Sequence, residues 1–190
     1  MKASVNLQFS SFASRQNSSE LDSALDLASV ATKEDLSSQR SPQSGYVGED
    51  SYFTISELTA SATALREGID NSPTESAYHL LHVLVEQLLD PIREAWGEPI
   101  VVSSGYRCKE LNALVGGAKN SHHLLGCAAD IIAGNKADHR RLFKLIQQMQ
   151  QAGKIRFTQL IWEGDGRWIH LSYVPGDLKC QVIDSMNYEL

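Results

Sequence analysis

The pattern of apolar and polar positions changes character near residue 51. Before it, residues 1–50 are a mixture of polar and charged side chains, about a quarter of them Ser. Such a stretch has little apolar surface with which to offset the entropy of ordering, so it reads as a disordered tail ahead of one folded domain over residues 51–190. Within it, residues 21–30 place Leu21, Leu25 and Leu27 or Ala28 on one face of a short helix, which is marginal alone.

From Tyr52 onward the signals are those of a folded domain. Thr54 and Glu57 have capping-box spacing and predict a short helix ending near Gly68. Ser72-Pro73-Thr74-Glu75 then offers a capping Ser, a Pro at the first helical position and a Glu at the third. Ala77, Leu80, Leu81, Leu84, Leu88, Ile92 and Trp96 draw an apolar stripe along the long helix that follows, and Pro91 should bend or divide it. Ile100-Val101-Val102 predicts a buried strand over residues 99–103, broken by Gly105. A short helix over residues 109–115, a Gly116-Gly117 turn and a second strand over residues 127–133 come next. Asn135 with Asp138 caps a helix carrying Leu142, Leu145, Ile146 and Met149, closed by Gly153. Residues 157–162 and 168–174 alternate as a hairpin across Gly164-Asp165-Gly166, and residues 179–184 add a last strand. The sum is an α+β domain, a small antiparallel sheet with flanking helices.

Composition narrows the classes. The longest apolar runs fall far short of the roughly 20 residues that span a bilayer, which argues against a membrane protein. The first twenty residues contain no continuous apolar run of the signal-peptide kind, so the chain is expected to be cytoplasmic at synthesis unless another system releases it. Cys108, Cys127 and Cys180 are odd in number and irregular in spacing, which suits structural free thiols in a reducing compartment. A net charge of −6 without a basic stripe argues against a nucleic-acid partner and gives no help in adhering to an anionic surface.

The chemistry concentrates in Ser121-His122-His123-Leu124-Leu125-Gly126-Cys127-Ala128-Ala129-Asp130. A loop-borne imidazole, His123, is followed seven residues later by a carboxylate, Asp130, that opens an apolar strand. Gly126 allows the sharp turn that lets the two converge, and Ala128 and Ala129 leave room beside the carboxylate. Catalytic zinc takes three protein ligands and keeps a fourth position for water, so a third ligand is required. His170 is the natural candidate, on a strand whose period-2 geometry puts it on one face with Trp168 and Ser172. Other clusters have simpler accounts. His79 and His82 sit three apart on the long helix as surface or core-edge residues, Cys127 points away from Asp130 by strand alternation, and Asp138 with His139 opens a helix as cap and solvent-exposed neighbour.

These residues match the S-x-H-x-x-G-x-A-x-D signature and the later W-x-H of the zinc D-Ala-D-Ala carboxypeptidase family, which includes the hedgehog/DD-peptidase fold. The resemblance runs from about Tyr52 to Asp184 through SELTASATALREGIDN, LLDPIREAWGEPIVVSSGYR, LNALVGGAKNSHHLLGCAADI and FTQLIWE, and is nearest the phage and prophage branch. It implies one zinc per chain on His123, Asp130 and His170, with a water as nucleophile. It also implies that Arg107 binds a substrate carboxylate or the developing oxyanion, a structural salt bridge being the other account. Ser121 likewise matches a motif position and either supports the site and binds substrate or is only a turn residue.

The general base departs from the family pattern. Many relatives carry a Glu three residues before the last histidine, where this chain has Arg167, which accepts no proton. Glu163 is the expected replacement, because it ends the preceding strand and approaches His170 across the ladder, with Asp165 in the turn as second choice. The resemblance thus implies a monomeric zinc metallopeptidase acting on a peptidoglycan stem peptide, as a D-Ala-D-Ala carboxypeptidase or an L-Ala-D-Glu endopeptidase, virion-associated or released if phage-derived. A zinc-stabilised cell-wall or protein binding module without turnover, and a metal-free structural domain, are the competing classes.

Overall fold

The fold is that of a computed structural model, which describes residues 45, 47, 48, 50–163 and 165–184. Residues 1–44, including the short helix expected at 21–30, lie outside that set. Packing begins earlier than residue 51, because Val47 is buried in the core and its N–H donates to the Phe53 carbonyl at 3.0 Å.

Two short helices stand where one was expected. Helix α1 (Ile55–Thr59) has the predicted capping box, with the Thr54 hydroxyl accepting from the Glu57 N–H. Ser61 then starts a second helix, α2 (Ala62–Glu67), by accepting from the Ala64 N–H, and Gly68 ends it. A serine that binds the backbone ahead of it competes with helix continuation, which divides the segment. The long helix starts two residues later than the sequence suggests. Thr74, not Ser72, is the N-cap of α3 (Glu75–Leu84), its hydroxyl accepting from the Ala77 N–H at 3.2 Å.

The long helix is divided just ahead of Pro91, as expected. A π-helical turn (Val85–Leu89) joins α3 to α4 (Asp90–Trp96), and the wider turn removes the need for an N–H at the proline. The stripe continues through it, with Leu81, Leu84, Val85, Leu88, Leu89 and Ile92 all buried.

The sheet has five strands in the order β1-β2-β4-β3-β5: β1 (Val101–Ser104), β2 (Ala128–Ile132), β3 (Gln159–Glu163), β4 (Trp168–Ser172) and β5 (Gln181–Asp184). All pairings are antiparallel except β3 with β5. Strand β1 is a half-buried edge strand, not the buried one its β-branched run suggests, because it pairs on one side only. Asp130 lies mid-strand in β2 rather than opening it. Helix α5 (Lys109–Leu114) follows β1, and α6 (Lys136–Gln151), capped by Asn135 and Asp138 as predicted, connects β2 to β3.

Alternation divides the sheet into two faces. Ala129, Ile131, Leu160, Trp162, Ile169 and Leu171 belong to the hydrophobic core together with residues of α3, α4 and α6. Asp130, His170, Ile161, Glu163 and Trp168 share the opposite face, since Asp130 pairs His170, Ile161 pairs His170 and Glu163 pairs Trp168.

Gly126 decides how β2 is entered. It has φ 75° at the end of the 3₁₀ turn His122–Leu125, and a Cβ there would collide with the Ala77 carbonyl oxygen. Gly126→Ala combines left-handed strain with backbone overlap and is expected to lower stability by about 2–4 kcal/mol, read as a lower urea midpoint at unchanged slope.

Candidate metal centre

Three segments deliver one donor atom each to the same point. His123 comes from the 3₁₀ turn, whose start is capped by Ser121 accepting from the His123 N–H at 3.3 Å. Asp130 comes from β2 and His170 from the adjoining β4 at the directly paired position. His170 Nδ1 lies 2.9 Å from Asp130 Oδ1, His123 Nε2 lies 3.2 Å from the same oxygen, and the two nitrogens are 3.2 Å apart. All three residues are buried, and they form the group of His, Cys, Asp and Glu side chains able to hold a metal ion among the described residues.

The outward atoms of the ligand set are held as well. His123 Nδ1 donates to the Gly105 carbonyl at 2.6 Å, which leaves its Nε2 lone pair facing the centre. Asp130 Oδ2 accepts from Arg107 Nη2 at 2.7 Å, while Arg107 Nε donates to Ser104 Oγ at 2.7 Å. Burial pushes the His123 imidazole down from its ordinary 6.5 to about 4, against the attraction of Asp130, so it is neutral at physiological pH. Burial alone would push the Asp130 carboxyl up, but His123, His170 and Arg107 together hold it well below its ordinary value.

The chain is matched over residues 51–172 by the profile of the peptidase M15 family. It belongs to the peptidase M15 family. It is also 47% identical over 127 residues to the zinc D-Ala-D-Ala carboxypeptidase of Streptomyces albus G, across 66% of this chain and 46% of that protein. The chain thus spans about half the length of the curated relative it matches.

The donors fit zinc, the metal in the name of the Streptomyces carboxypeptidase. With metal–ligand distances of about 2.0–2.2 Å, tetrahedral ligands stand roughly 3.3 Å apart. Separations of 2.9 to 3.2 Å among two imidazole nitrogens and a carboxylate oxygen are close to that edge, and this N₂O set is one zinc accepts.

The remaining expected residues are placed unequally. Arg107 is buried with Nη2 on Asp130, which is the salt-bridge arrangement, and Nε on Ser104. Ser121 caps the turn that carries His123. Glu163 is opposite Trp168 rather than His170, and its Oε2 accepts from the Trp168 indole N–H at 3.2 Å. It remains on the ligand face, one diagonal step from His170. Burial pushes its carboxyl up and Asp130 adds to this, while His170, Trp168 and Arg107 pull it down. Asp165 is exposed in the turn at φ 57°, and Arg167 is exposed with its guanidinium 5.1 Å from the Trp168 ring centre.

Other clusters stay outside the centre. His79 is exposed and His82 packs on Tyr78 with ring centres 4.7 Å apart. The Cys127 thiol is pushed by burial up to about 11, unsuited to ligation as thiolate. His139 is buried, contrary to its expected exposure, because it reaches under the β3–β4 turn to the Gly166 carbonyl. Ser104 Oγ, the Gly105 carbonyl and the Trp168 indole N–H make contacts at the site that the sequence motifs do not foretell.

The protonation states set the acid limb of stability for metal-free protein. Between about pH 4 and 6.5 the unfolded chain binds a proton on His123 that the folded chain refuses, so stability falls as pH drops through this window. Asp130 adds a further loss below the ordinary carboxylate range. Melting in chelator is expected to show this decline, and His123→Gln to flatten it. Zinc at a hundred times its dissociation constant should stabilise by about 2.7 kcal/mol at neutral pH, and Asp130→Ala should abolish that response.

Proposed function

We propose that this chain is a zinc-dependent peptidase that hydrolyses a peptide bond in peptidoglycan stem peptides. The observation that carries the reading is the convergence of His123 Nε2, His170 Nδ1 and Asp130 Oδ1 within 3.2 Å of one another beside the half-buried Glu163. Family membership supports the peptidase chemistry, and similarity to the D-Ala-D-Ala carboxypeptidase of Streptomyces albus G supports the substrate class.

In this reading His123, Asp130 and His170 hold the zinc. When bound, zinc supplies Lewis acidity that lowers the pKa of a water toward about 7 and polarises the substrate carbonyl. Glu163 takes the proton of the attacking water and passes one to the leaving amine. Its raised pKa suits both steps, because a carboxylate nearer neutrality is a better base and a readier donor. The Trp168 indole N–H keeps one carboxylate oxygen in place. Arg107 orients Asp130 and contributes a positive charge that offsets the developing oxyanion. Ser121 acts through the turn it caps, by fixing His123.

Digestion of purified stem peptides by zinc-loaded protein, read by mass spectrometry, tests the reading. Loss of the terminal D-Ala identifies a carboxypeptidase, and cleavage after L-Ala an endopeptidase. Glu163→Gln is expected to lower kcat by about 10²–10⁴-fold with zinc retained. Zinc-loaded protein that turns over no stem peptide overturns the proposal in favour of a binding module.

A further inference from the structure

A buried imidazole outside the metal centre holds the turn that presents Glu163. His139, in the first turn of α6, is 4% exposed, and its Nδ1 donates to the Gly166 carbonyl at 2.7 Å. The N–H groups of Gly166 and Arg167 in turn donate to the Glu163 carbonyl at 2.8 and 3.1 Å. His139 therefore grips the loop that closes directly on Glu163. That loop is conformationally demanding, with Asp165 at φ 57° and Gly166 at φ 82°. A Cβ on Gly166 would strike the Trp162 indole, which Phe143 of the same helix packs edge-on at 5.5 Å between ring centres.

His139 Nε2 is buried and meets no hydrogen-bond partner among the described residues. An unpaired buried acceptor costs about 1–3 kcal/mol, and a side chain suited to packing alone would carry none. What the imidazole contributes is one directed N–H at the apex of the turn. The hydrogen bonds described for His123, Asp130 and His170 run to Gly105, to Arg107 and to one another.

We propose that His139 is a positioning residue for Glu163: by fixing the Gly166 carbonyl it sets the turn from which the Glu163 carboxylate reaches the metal centre. This rests on the reading of Glu163 as the proton carrier. Freed of that bond, the turn relaxes and the carboxylate drifts, and a misplacement on the order of 1 Å costs up to about 10²-fold in rate.

The zinc-loaded chain of 190 residues and a stem pentapeptide provide the test. His139→Ala is expected to lower kcat about ten- to a hundredfold, with KM and zinc stoichiometry unchanged. His139→Asn, whose amide N–H falls where Nδ1–H was, restores most of the rate, and His139→Ala adds no loss in a Glu163→Gln background. His139→Gln, which displaces the N–H, carries the same test if the alanine variant does not fold. Unchanged kcat, a parallel loss of zinc, or full additivity with Glu163→Gln overturns the proposal. A second readout needs no turnover: the Trp168 indole N–H resonance should move in His139→Ala toward its position in Glu163→Gln, and return in His139→Asn. An unmoved resonance sinks the role of His139, whereas activity that survives Glu163→Gln sinks the reading of Glu163 instead.

Discussion

The negative charge of Asp130, 2% exposed in the middle of the sheet, is the constraint around which the rest is arranged. An isolated carboxylate at such a position costs several kcal/mol, and it persists ionised only if charges and donors meet it. Arg107 meets one oxygen and His170 Nδ1 the other, on which His123 Nε2 also converges at 3.2 Å. Each partner arrives from a different segment: the stretch after β1, the 3₁₀ turn before β2, and β4. The need to neutralise one buried charge therefore fastens three distant parts of the chain together, and the same geometry forms a pocket of donors that a metal ion fits.

The two faces of the sheet divide the work. One buries Ile131, Leu160, Trp162, Ile169 and Leu171 against α3, α4 and α6 and supplies the hydrophobic stabilisation. The other carries the polar groups of the centre. Because alternate residues of a single strand serve both faces, the apolar packing of Ile131 and Ile169 sets the height and register at which Asp130 and His170 meet. Rigidity at the metal centre is thus inherited from the core behind it.

Glu163 stands on different support. It lies at the last position of β3, next to a turn with two left-handed residues, and its carboxylate is tied by the Trp168 indole. The donors rest on a sheet interior and Glu163 on its margin, next to a turn that is braced from outside. The first turns of α6 supply that brace through His139 and Phe143.

Much was legible without coordinates, for local reasons. The caps at Thr54 and Asn135, the stripe from Ala77 to Ile92 and the alternation around His170 follow from hydrogen-bonding and periodicity rules that operate within a few residues. The spacing of His123 and Asp130 is of the same kind, since a glycine turn and one strand suffice to bring them together. What the tertiary structure alone decided depends on strand order and register, which local rules do not encode. Among these are the edge position that leaves β1 half-buried, the pairing that sets Glu163 opposite Trp168, and the engagement of Arg107 by Asp130. His139 reads from its sequence as a helix cap's exposed neighbour, and only the approach of a turn 27 positions away makes it a buried donor.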